Sequence, residues 1–164
     1  MTDIAISAHG LTRYFGKRPV VNQLDFSIPT GTVTGMVGLN GAGKTTTLRM
    51  LMGLLDPTRG RCEVLGVESR EWTPSHRCRI GYTVEGHFLY SWMKVLECEA
   101  LQRKTFDRWN CILFQQTIAR FGISPDQVCG RLSRGQRAGV SLALTLSADP
   151  DVLILTIQLW GSTR

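Results

Sequence analysis

No stretch of this sequence is apolar for long enough to cross a bilayer, because the longest nearly apolar run, residues 140–148, ends at Asp149-Pro150-Asp151. The first three residues, Met1-Thr2-Asp3, are not followed by a basic stretch and an apolar core, which argues against a secretory signal. Internal repeats and low-complexity tracts are also missing from the 164 residues. With 43% hydrophobic and 20% charged residues, the composition excludes wholesale disorder and predicts a soluble, non-secreted globular domain.

Cysteine pairs at metal-ligand spacing and runs of basic residues are both absent. The five cysteines include no Cys-x-x-Cys pair, which argues against a zinc site and predicts reduced cytosolic thiols, mostly buried as small apolar residues. Nineteen Lys and Arg against thirteen Asp and Glu give a net charge of +6. That balance is compatible with nucleic acid, anionic lipid or phosphate ligands. Because the basic residues are scattered, we expect a generic solvated surface and no nucleic-acid partner.

Hydrophobic spacing predicts alternating strands and helices. Strands are expected over residues 3–9, 20–28, 32–37, 63–67, 79–82 and 151–155, and residues 11–16 are expected to lead into a turn. Helices are expected over residues 44–55, 94–105, 111–121 and 133–147, and Asp56-Pro57 is expected to stop the first of them. A strand, a glycine-rich loop, a helix, strands, helices and a buried strand in this order form an α/β pattern.

A phosphate-binding loop is predicted at residues 38–45, which fit G-x-x-x-x-G-K-[ST] at every fixed position. Glycines let successive backbone N–H groups approach phosphate oxygens, and the helix behind them adds its positive end. Lys44 supplies a compact positive charge for the β- and γ-phosphates, and the Thr45 hydroxyl can complete a Mg²⁺ shell. A chance glycine-rich turn is the alternative, but the predicted strand before the loop and the helix after it favour nucleotide binding. The predicted contact residues are Gly38, Leu39, Asn40, Gly41, Ala42, Gly43, Lys44, Thr45 and Thr46.

A second motif lies 88 residues after Lys44 and consists of Leu132, Ser133, Arg134, Gly135 and Gln136. A serine hydroxyl and a glycine N–H at a helix N-terminus can clamp a phosphate, although Ser133 could equally be a simple helix N-cap. Together with the phosphate loop, this motif resembles the ATP-binding cassette (ABC) family, whose signature reads Leu-Ser-Gly-Gly-Gln. Arg134 replaces the first glycine of that signature. The resemblance implies that Ser133 and Gly135 act in trans, on the γ-phosphate held by a partner subunit.

The resemblance also implies the fold and the cofactors. The expected fold is an α/β P-loop NTPase with a RecA-like core, an antiparallel β subdomain, an inserted helical subdomain at about residues 87–147 and an incomplete C-terminal part. The expected cofactors are ATP and Mg²⁺.

Phe15 stands where the family has an aromatic ring that stacks on adenine, and the adjacent Tyr14 is the alternative; either ring could instead pack on the core. Glu85 stands where the family has a glutamine that contacts Mg²⁺, so Thr45 and Glu85 are the candidate metal ligands.

The resemblance ends after Leu155. Thr156 occupies the place of the family's metal-orienting aspartate, no acidic residue follows it, and no histidine lies downstream. We therefore assign no catalytic residue and expect residues 1–155 to form a partial ATP-binding domain that is deficient in hydrolysis. The last nine residues, 156–164, are compatible with a shifted reading frame. Suitable codons for a family-like peptide, Asp-Asp-Pro-Thr-Leu-Gly-Leu-Asp-Pro, encode these nine residues when they are read one base out of frame.

The resemblance implies an ATP-binding subunit that couples ATP hydrolysis to membrane transport. Its expected partners are transmembrane transporter subunits and a second ATP-binding subunit in a homo- or heterodimer. Its expected location is cytoplasmic, at the inner face of the membrane through those partners. A non-catalytic nucleotide-binding subunit and a non-functional truncated fragment are the alternatives. An ABC protein of DNA repair or translation is a weaker variant, since no coiled-coil insertion or tandem cassette is present.

Overall fold

The computed structural model describes residues 3–83 and 89–156. The chain divides into two compact units, Met1–Thr73 and Pro74–Arg164, and each has its own sheet and helices. Glu85 lies outside the described residues, as do 84, 86–88 and 157–164.

The first unit is built on a four-stranded antiparallel sheet. Its strands are β1 (Ile4–Phe15), β2 (Arg18–Pro29), β3 (Arg59–Val64) and β4 (Val67–Glu68), in the spatial order β2-β1-β3-β4. One helix, α1 (Lys44–Leu51), packs against this sheet, and a 3₁₀ turn follows at Ser69–Glu71. Within residues 3–73, the buried hydrophobic side chains come from β1, β2, β3, the end of α1 and the segment after the 3₁₀ turn: Ile6, Ala8, Leu11, Val21, Cys62, Val64, Met50, Leu51, Met52 and Trp72.

Strand β1 continues through residues 11–15 and then leads into a turn, whereas the predicted strand ends at residue 9. The strand absorbs extra residues as bulges, with register shifts between Ala8 and Leu11 against β2 and between His9 and Thr12 against β3. Gly10 adopts φ +56° at this irregularity, and its backbone N–H donates to Asp25 Oδ1 at 2.7 Å. A glycine tolerates this left-handed backbone, so the chain bends without leaving the sheet.

The predicted strand over residues 32–37 is wrong. These residues have no strand assignment and belong to neither sheet of the described chain. Their apolar side chains are open to solvent, with Val33 fully exposed and Val37 91% exposed. An apolar strand of this kind is stable only between hydrogen-bonded neighbours. No described strand pairs with it, and its apolar composition alone does not hold it in a strand.

The first helix ends four residues earlier than predicted, at Leu51 instead of Leu55. Gly53 sets this end, because it adopts φ +61° and its N–H donates to Met50 O at 3.0 Å. The chain then runs through an exposed Leu54 to Asp56-Pro57. The glycine, and not the proline, terminates the helix.

The second unit combines a two-stranded parallel sheet with a cluster of helices. Strands β5 (Ile80–Thr83) and β6 (Val152–Leu155) pair in register from Ile80 with Val152 to Thr83 with Leu155. The helices are α2 (Pro74–Arg77), α3 (Val95–Arg103), α4 (Cys111–Arg120) and α5 (Arg134–Ser147), with a 3₁₀ turn at Cys129–Arg131. Their shared core consists of Val95, Cys98, Phe114, Ile118, Ile123, Cys129, Leu132, Val140, Ala143 and Leu144.

An ion cluster aligns the starts of β5 and β6. Arg79 Nε lies 2.5 Å from Asp151 Oδ2, and Arg108 Nη2 lies 3.0 Å from Asp151 Oδ1. Arg108 also lies 3.6 Å from the Asp149 carboxylate. Hydrogen bonds from Arg79 and then from Arg108 lower the pKa of Asp151. The cluster therefore stays charged at neutral pH and holds together the two positions that precede the paired strands.

Three of the five cysteines are buried, as the composition predicts: Cys62, Cys98 and Cys129, with Cys78 and Cys111 half-buried. The sulfur atoms of Cys98 and Cys129 lie 3.6 Å apart in the helical core. Burial, with the neighbouring thiol second, raises the pKa of Cys98 to about 12. The Cys98 thiol therefore behaves as an apolar core group and is not a nucleophile.

Candidate nucleotide-binding site

The glycine-rich loop has the backbone that a phosphate-binding turn requires. Gly41 and Gly43 adopt φ +82° and +86°, in the left-handed region that other residues avoid. Between them, Ala42 N donates to Leu39 O at 3.1 Å and closes a tight turn. Helix α1 begins directly behind this turn, with Gly43 as its N-cap residue and Thr47 N donating to Gly43 O at 2.8 Å. The free N–H groups at the start of α1 and the loop glycines are thus adjacent in the chain.

Lys44 is held inside the loop that precedes it. Its Nζ donates to Gly38 O at 2.6 Å and to Leu39 O at 2.8 Å. An ammonium group has three donors, so one remains for a ligand after these two bonds. No acidic residue lies in the first turn of α1 or within residues 38–46, so nothing in the loop itself neutralises the charge. A folded-back cation beside a helix N-terminus suits a polyphosphate anion.

Gly43 also has a packing role that the motif does not reveal. A Cβ on Gly43 would lie 2.5 Å from Val20 O and 3.1 Å from Val21 Cγ2, both on β2. The loop therefore rests directly on the backbone of the sheet. Gly38 has more room, since a Cβ there would meet Ala42 Cβ at 3.4 Å. Only a glycine fits at position 43, because both the space and the left-handed backbone exclude a side chain.

The residues after the lysine give the site one candidate metal ligand. Thr45 is exposed at the start of α1, Thr46 is half-buried, and Thr47 is buried against the core. Within residues 3–83 and 89–156, no three His, Cys, Asp or Glu side chains are grouped so that they could hold a metal ion. Mg²⁺ is commonly held by one protein oxygen together with phosphates and waters, and the Thr45 hydroxyl fits that arrangement.

Phe15 and Tyr14 lie at the end of β1, next to the hairpin turn that leads to β2. The Phe15 side chain is 50% exposed, and Tyr14 is half-buried. Tyr14 is also tied by its backbone, since its N–H donates to Thr58 Oγ1 at 3.2 Å. Phe15 therefore presents the more accessible ring for stacking on a planar base.

The second motif forms the start of α5. Ser133 is the N-cap, its Oγ accepts from Gln136 N at 3.2 Å, and Gln136 Oε1 accepts from Ser133 N at 3.1 Å. This reciprocal capping box matches the simple N-cap interpretation of Ser133. Leu132 is buried in the helical core, whereas Ser133, Arg134 and Gly135 are exposed. A Cβ on Gly135 would meet nothing within 4 Å. The exposed turn keeps open space at the helix N-terminus, and the Ser133 hydroxyl can still donate its proton to an anion.

Thr156 follows β6 directly, and its N–H donates to Thr83 O at 3.3 Å. It thus lies at the carboxyl ends of the two parallel strands, the edge where such sheets place functional side chains. A threonine there offers a hydroxyl but no negative charge. The other metal candidate of the sequence, Glu85, is outside the described residues.

Two features of the site have no sequence motif. One is the close packing of Gly43 against Val20 and Val21. The other is a cation–π contact in which Arg13 Cζ lies 4.9 Å from the centroid of the Phe15 ring. The alternation of a strand through residue 15 would have placed Arg13 and Phe15 on one face. Because the predicted first strand ends at residue 9, the sequence did not indicate this pairing.

The model of the ABC transporter family matches residues 21–155 of this chain. Because that match covers most of the sequence, the chain belongs to the ABC transporter family. The probable multidrug ABC transporter ATP-binding protein YbhF of Escherichia coli (strain K12) is 34% identical over 162 residues, which cover 94% of this chain and 28% of that protein. The Nod factor export ATP-binding protein I of Rhizobium meliloti (strain 1021) is 32% identical over 167 residues, covering 93% of this chain and 47% of that protein.

Solved structures show the same fold. A structure of an ATP-binding subunit of an ABC transporter superimposes with a TM-score of 0.80 at 20% identity, covering 92% of this chain and 65% of that one. This confirms the predicted fold class, an α/β P-loop NTPase of the ABC type with an antiparallel β part. The chain spans about half or less of the length of the two curated relatives, at 47% and 28%. In the described part of the chain, no helix combines the length and the apolar character needed to cross a membrane.

Proposed function

We propose that this chain binds Mg·ATP through residues 38–46, as the ATP-binding subunit of a membrane transporter. The observation that carries this proposal is the folded loop itself, in which Lys44 Nζ is bonded to Gly38 O and Leu39 O at the start of α1. This geometry concentrates one ammonium charge and the helix N-terminus at a single turn. Membership in a family whose relatives carry the name ATP-binding protein supports ATP as the nucleotide.

Each part of the site has a proposed task. The loop N–H groups and Lys44 bind the phosphates, and the Thr45 hydroxyl joins the Mg²⁺ shell with phosphate oxygens and water. Mg²⁺ supplies charge neutralisation along the triphosphate when it is bound. Phe15 stacks on the adenine ring, and Glu85 contacts the metal as the resemblance implies. The exposed turn at Ser133 and Gly135 acts on the nucleotide of a second ATP-binding subunit.

Hydrolysis by this chain is proposed to be very slow. Phosphoryl transfer depends on positioning and electrostatics, and a carboxylate that orients the metal and its water is part of that apparatus. Thr156 stands at the end of β6 in place of such a carboxylate, and no acidic residue occurs in residues 157–164. The chain then acts as a non-catalytic nucleotide-binding subunit that partners a second ATP-binding subunit and transmembrane subunits at the inner face of the membrane. A fragment without a role of its own is the outcome if the folded chain binds no nucleotide.

Replacing the loop lysine tests the proposed binding. Lys44→Ala removes the ammonium from the turn, and a lost charge-assisted bond of this kind weakens Mg·ATP binding by about 10- to 100-fold. Isothermal titration of Mg·ATP into the full chain measures the change. Lys104→Ala is the matched control, because it removes the same charge from an exposed position in the other unit. Equal affinities of wild type and Lys44→Ala would show that the loop is not the binding site.

Release of inorganic phosphate from Mg·ATP then distinguishes a subunit that hydrolyses ATP from a non-catalytic subunit that only binds it. Wild type and Lys44→Ala are expected to release phosphate at the same background rate, because a threonine and not a carboxylate stands directly after β6. Wild-type release above the Lys44→Ala rate would contradict the non-catalytic proposal while leaving nucleotide binding intact.

A further inference from the structure

The Phe15 ring has a cation fixed on one of its faces. Arg13 and Phe15 lie two residues apart on β1, so their side chains emerge on the same side of the strand. The Arg13 guanidinium carbon lies 4.9 Å from the ring centroid, within the range of a cation–π contact. The ring is still 50% exposed, so the contact leaves part of its surface available to a ligand.

The guanidinium cannot easily move away from the ring. Its Nη1 donates to Asp56 O at 2.8 Å, in the segment that follows α1, and Arg13 Nε is buried. The same stretch of β1 is bonded to Thr58, which donates through its N–H to Thr12 O at 2.8 Å and accepts at Oγ1 from Tyr14 N at 3.2 Å. Arg13 is thus a fixed support, and a ring that rotated away would lose its contact with the cation.

The strand pair that carries this support also carries the phosphate loop. Arg13 is the cross-strand partner of Val21 on β2, and Gly43 rests on Val20 and Val21. The end of the β1–β2 hairpin and the start of α1 therefore both adjoin Val21. A ligand whose phosphates occupy the loop has its remaining part available for contact at the hairpin.

We propose that Arg13 is a positioning residue for the nucleobase. Its guanidinium holds the Phe15 ring in one orientation, so that the exposed surface of the ring takes the purine of the bound nucleoside triphosphate by stacking. This inference rests on the proposed function of the loop. Ordering the ring before the ligand arrives removes an entropy cost from binding, which is the source of the expected gain in affinity.

A double-mutant cycle on Mg·ATP affinity tests this role, since it separates a direct effect of Arg13 from one that acts through Phe15. Arg13→Ala is expected to weaken Mg·ATP binding about two- to fivefold, the effect of losing an exposed cation–π contact. In a Phe15→Leu background, the same substitution is expected to have no further effect. Arg13→Lys retains a cation and recovers part of the loss. Arg18→Ala is the matched control, because Arg18 is the cross-strand partner of Phe15 and carries the same charge on the same hairpin.

Three results would overturn the positioning role: unchanged affinity in Arg13→Ala, an equal loss from that substitution with and without Phe15, or an equal loss in Arg18→Ala. The last of these would show a general charge effect on an anionic ligand. A wild-type chain that is folded and binds no Mg·ATP would instead overturn the proposed function of the loop, so the two failures are distinguishable.

Discussion

Gly43→Ala is expected to lower the affinity for Mg·ATP by about 100-fold, which combines left-handed strain with the loss of phosphate hydrogen bonds. The residue has φ +86°, and an added Cβ would lie 2.5 Å from Val20 O. Since both obstacles are backbone features, the loop must leave its place on β2. Lys44 and the first N–H groups of α1 then lose the arrangement that faces the phosphates.

The control for this substitution is Gly31→Ala. Gly31 also has a left-handed backbone, with φ +71°, but a Cβ there would meet nothing within 4 Å, and the residue lies outside the loop. We expect it to cost about 1 to 2 kcal/mol of stability and to leave the affinity of the folded chain for Mg·ATP unchanged. Isothermal titration of both variants checks the pair. Near-wild-type affinity of Gly43→Ala for Mg·ATP would show that the close packing of the loop against β2 is not required for nucleotide binding.

Gly60→Ala is expected to be the most destabilising glycine-to-alanine substitution in the first unit. It should lower the free energy of unfolding by about 3 kcal/mol or more. Gly60 has φ +74° in β3, and a Cβ there would overlap the carbonyl oxygens of His9 and Gly10. These carbonyls belong to the bulge of β1, where the pairing with β3 shifts between His9 and Thr12. The two strands can approach closely at this bulge only because residue 60 has no side chain.

Gly66→Ala separates the effect of backbone strain from the effect of steric overlap, because Gly66 has φ +76° but open space around a Cβ. It is expected to cost only the strain of a left-handed alanine, about 1 to 2 kcal/mol. Urea unfolding of both variants, followed by circular dichroism, measures the difference. Equal shifts of the unfolding midpoint would mean that the β1–β3 bulge relaxes around the added methyl group.

Local signals in the sequence predict the three longer helices of the second unit well, whereas the short helix α2 was not predicted. The N-cap at Ser133 and the apolar spacing behind it place α5 to within a residue, because a capping box is a contact between near neighbours in the chain. Helix α4 begins where expected, and Asn110 accepts from Leu113 N at 2.9 Å as its N-cap. These elements depend on residues within one or two turns, and short-range patterns describe them.

Features that depend on distant residues could not be predicted in the same way. Residues 32–37 have the composition of a strand, but strand formation requires hydrogen-bonded neighbours that their own sequence does not specify. The continuation of β1 through residue 15 depends on the bulge at Gly10, whereas the predicted strand ends at residue 9. The phosphate loop is evident from its motif, whereas the support of Gly43 by Val20 requires the folded sheet.

The phosphate-binding role of residues 38–46 can be observed through the amide signals of the ¹⁵N-labelled full chain during a titration with Mg·ATP. The expected result is that the largest shifts fall on the backbone N–H groups of residues 41–46, that they saturate with the affinity measured by calorimetry, and that Lys44→Ala reduces them. A folded chain whose loop amides do not move, whether ATP binds elsewhere or not at all, would contradict the assignment of this loop as the nucleotide site.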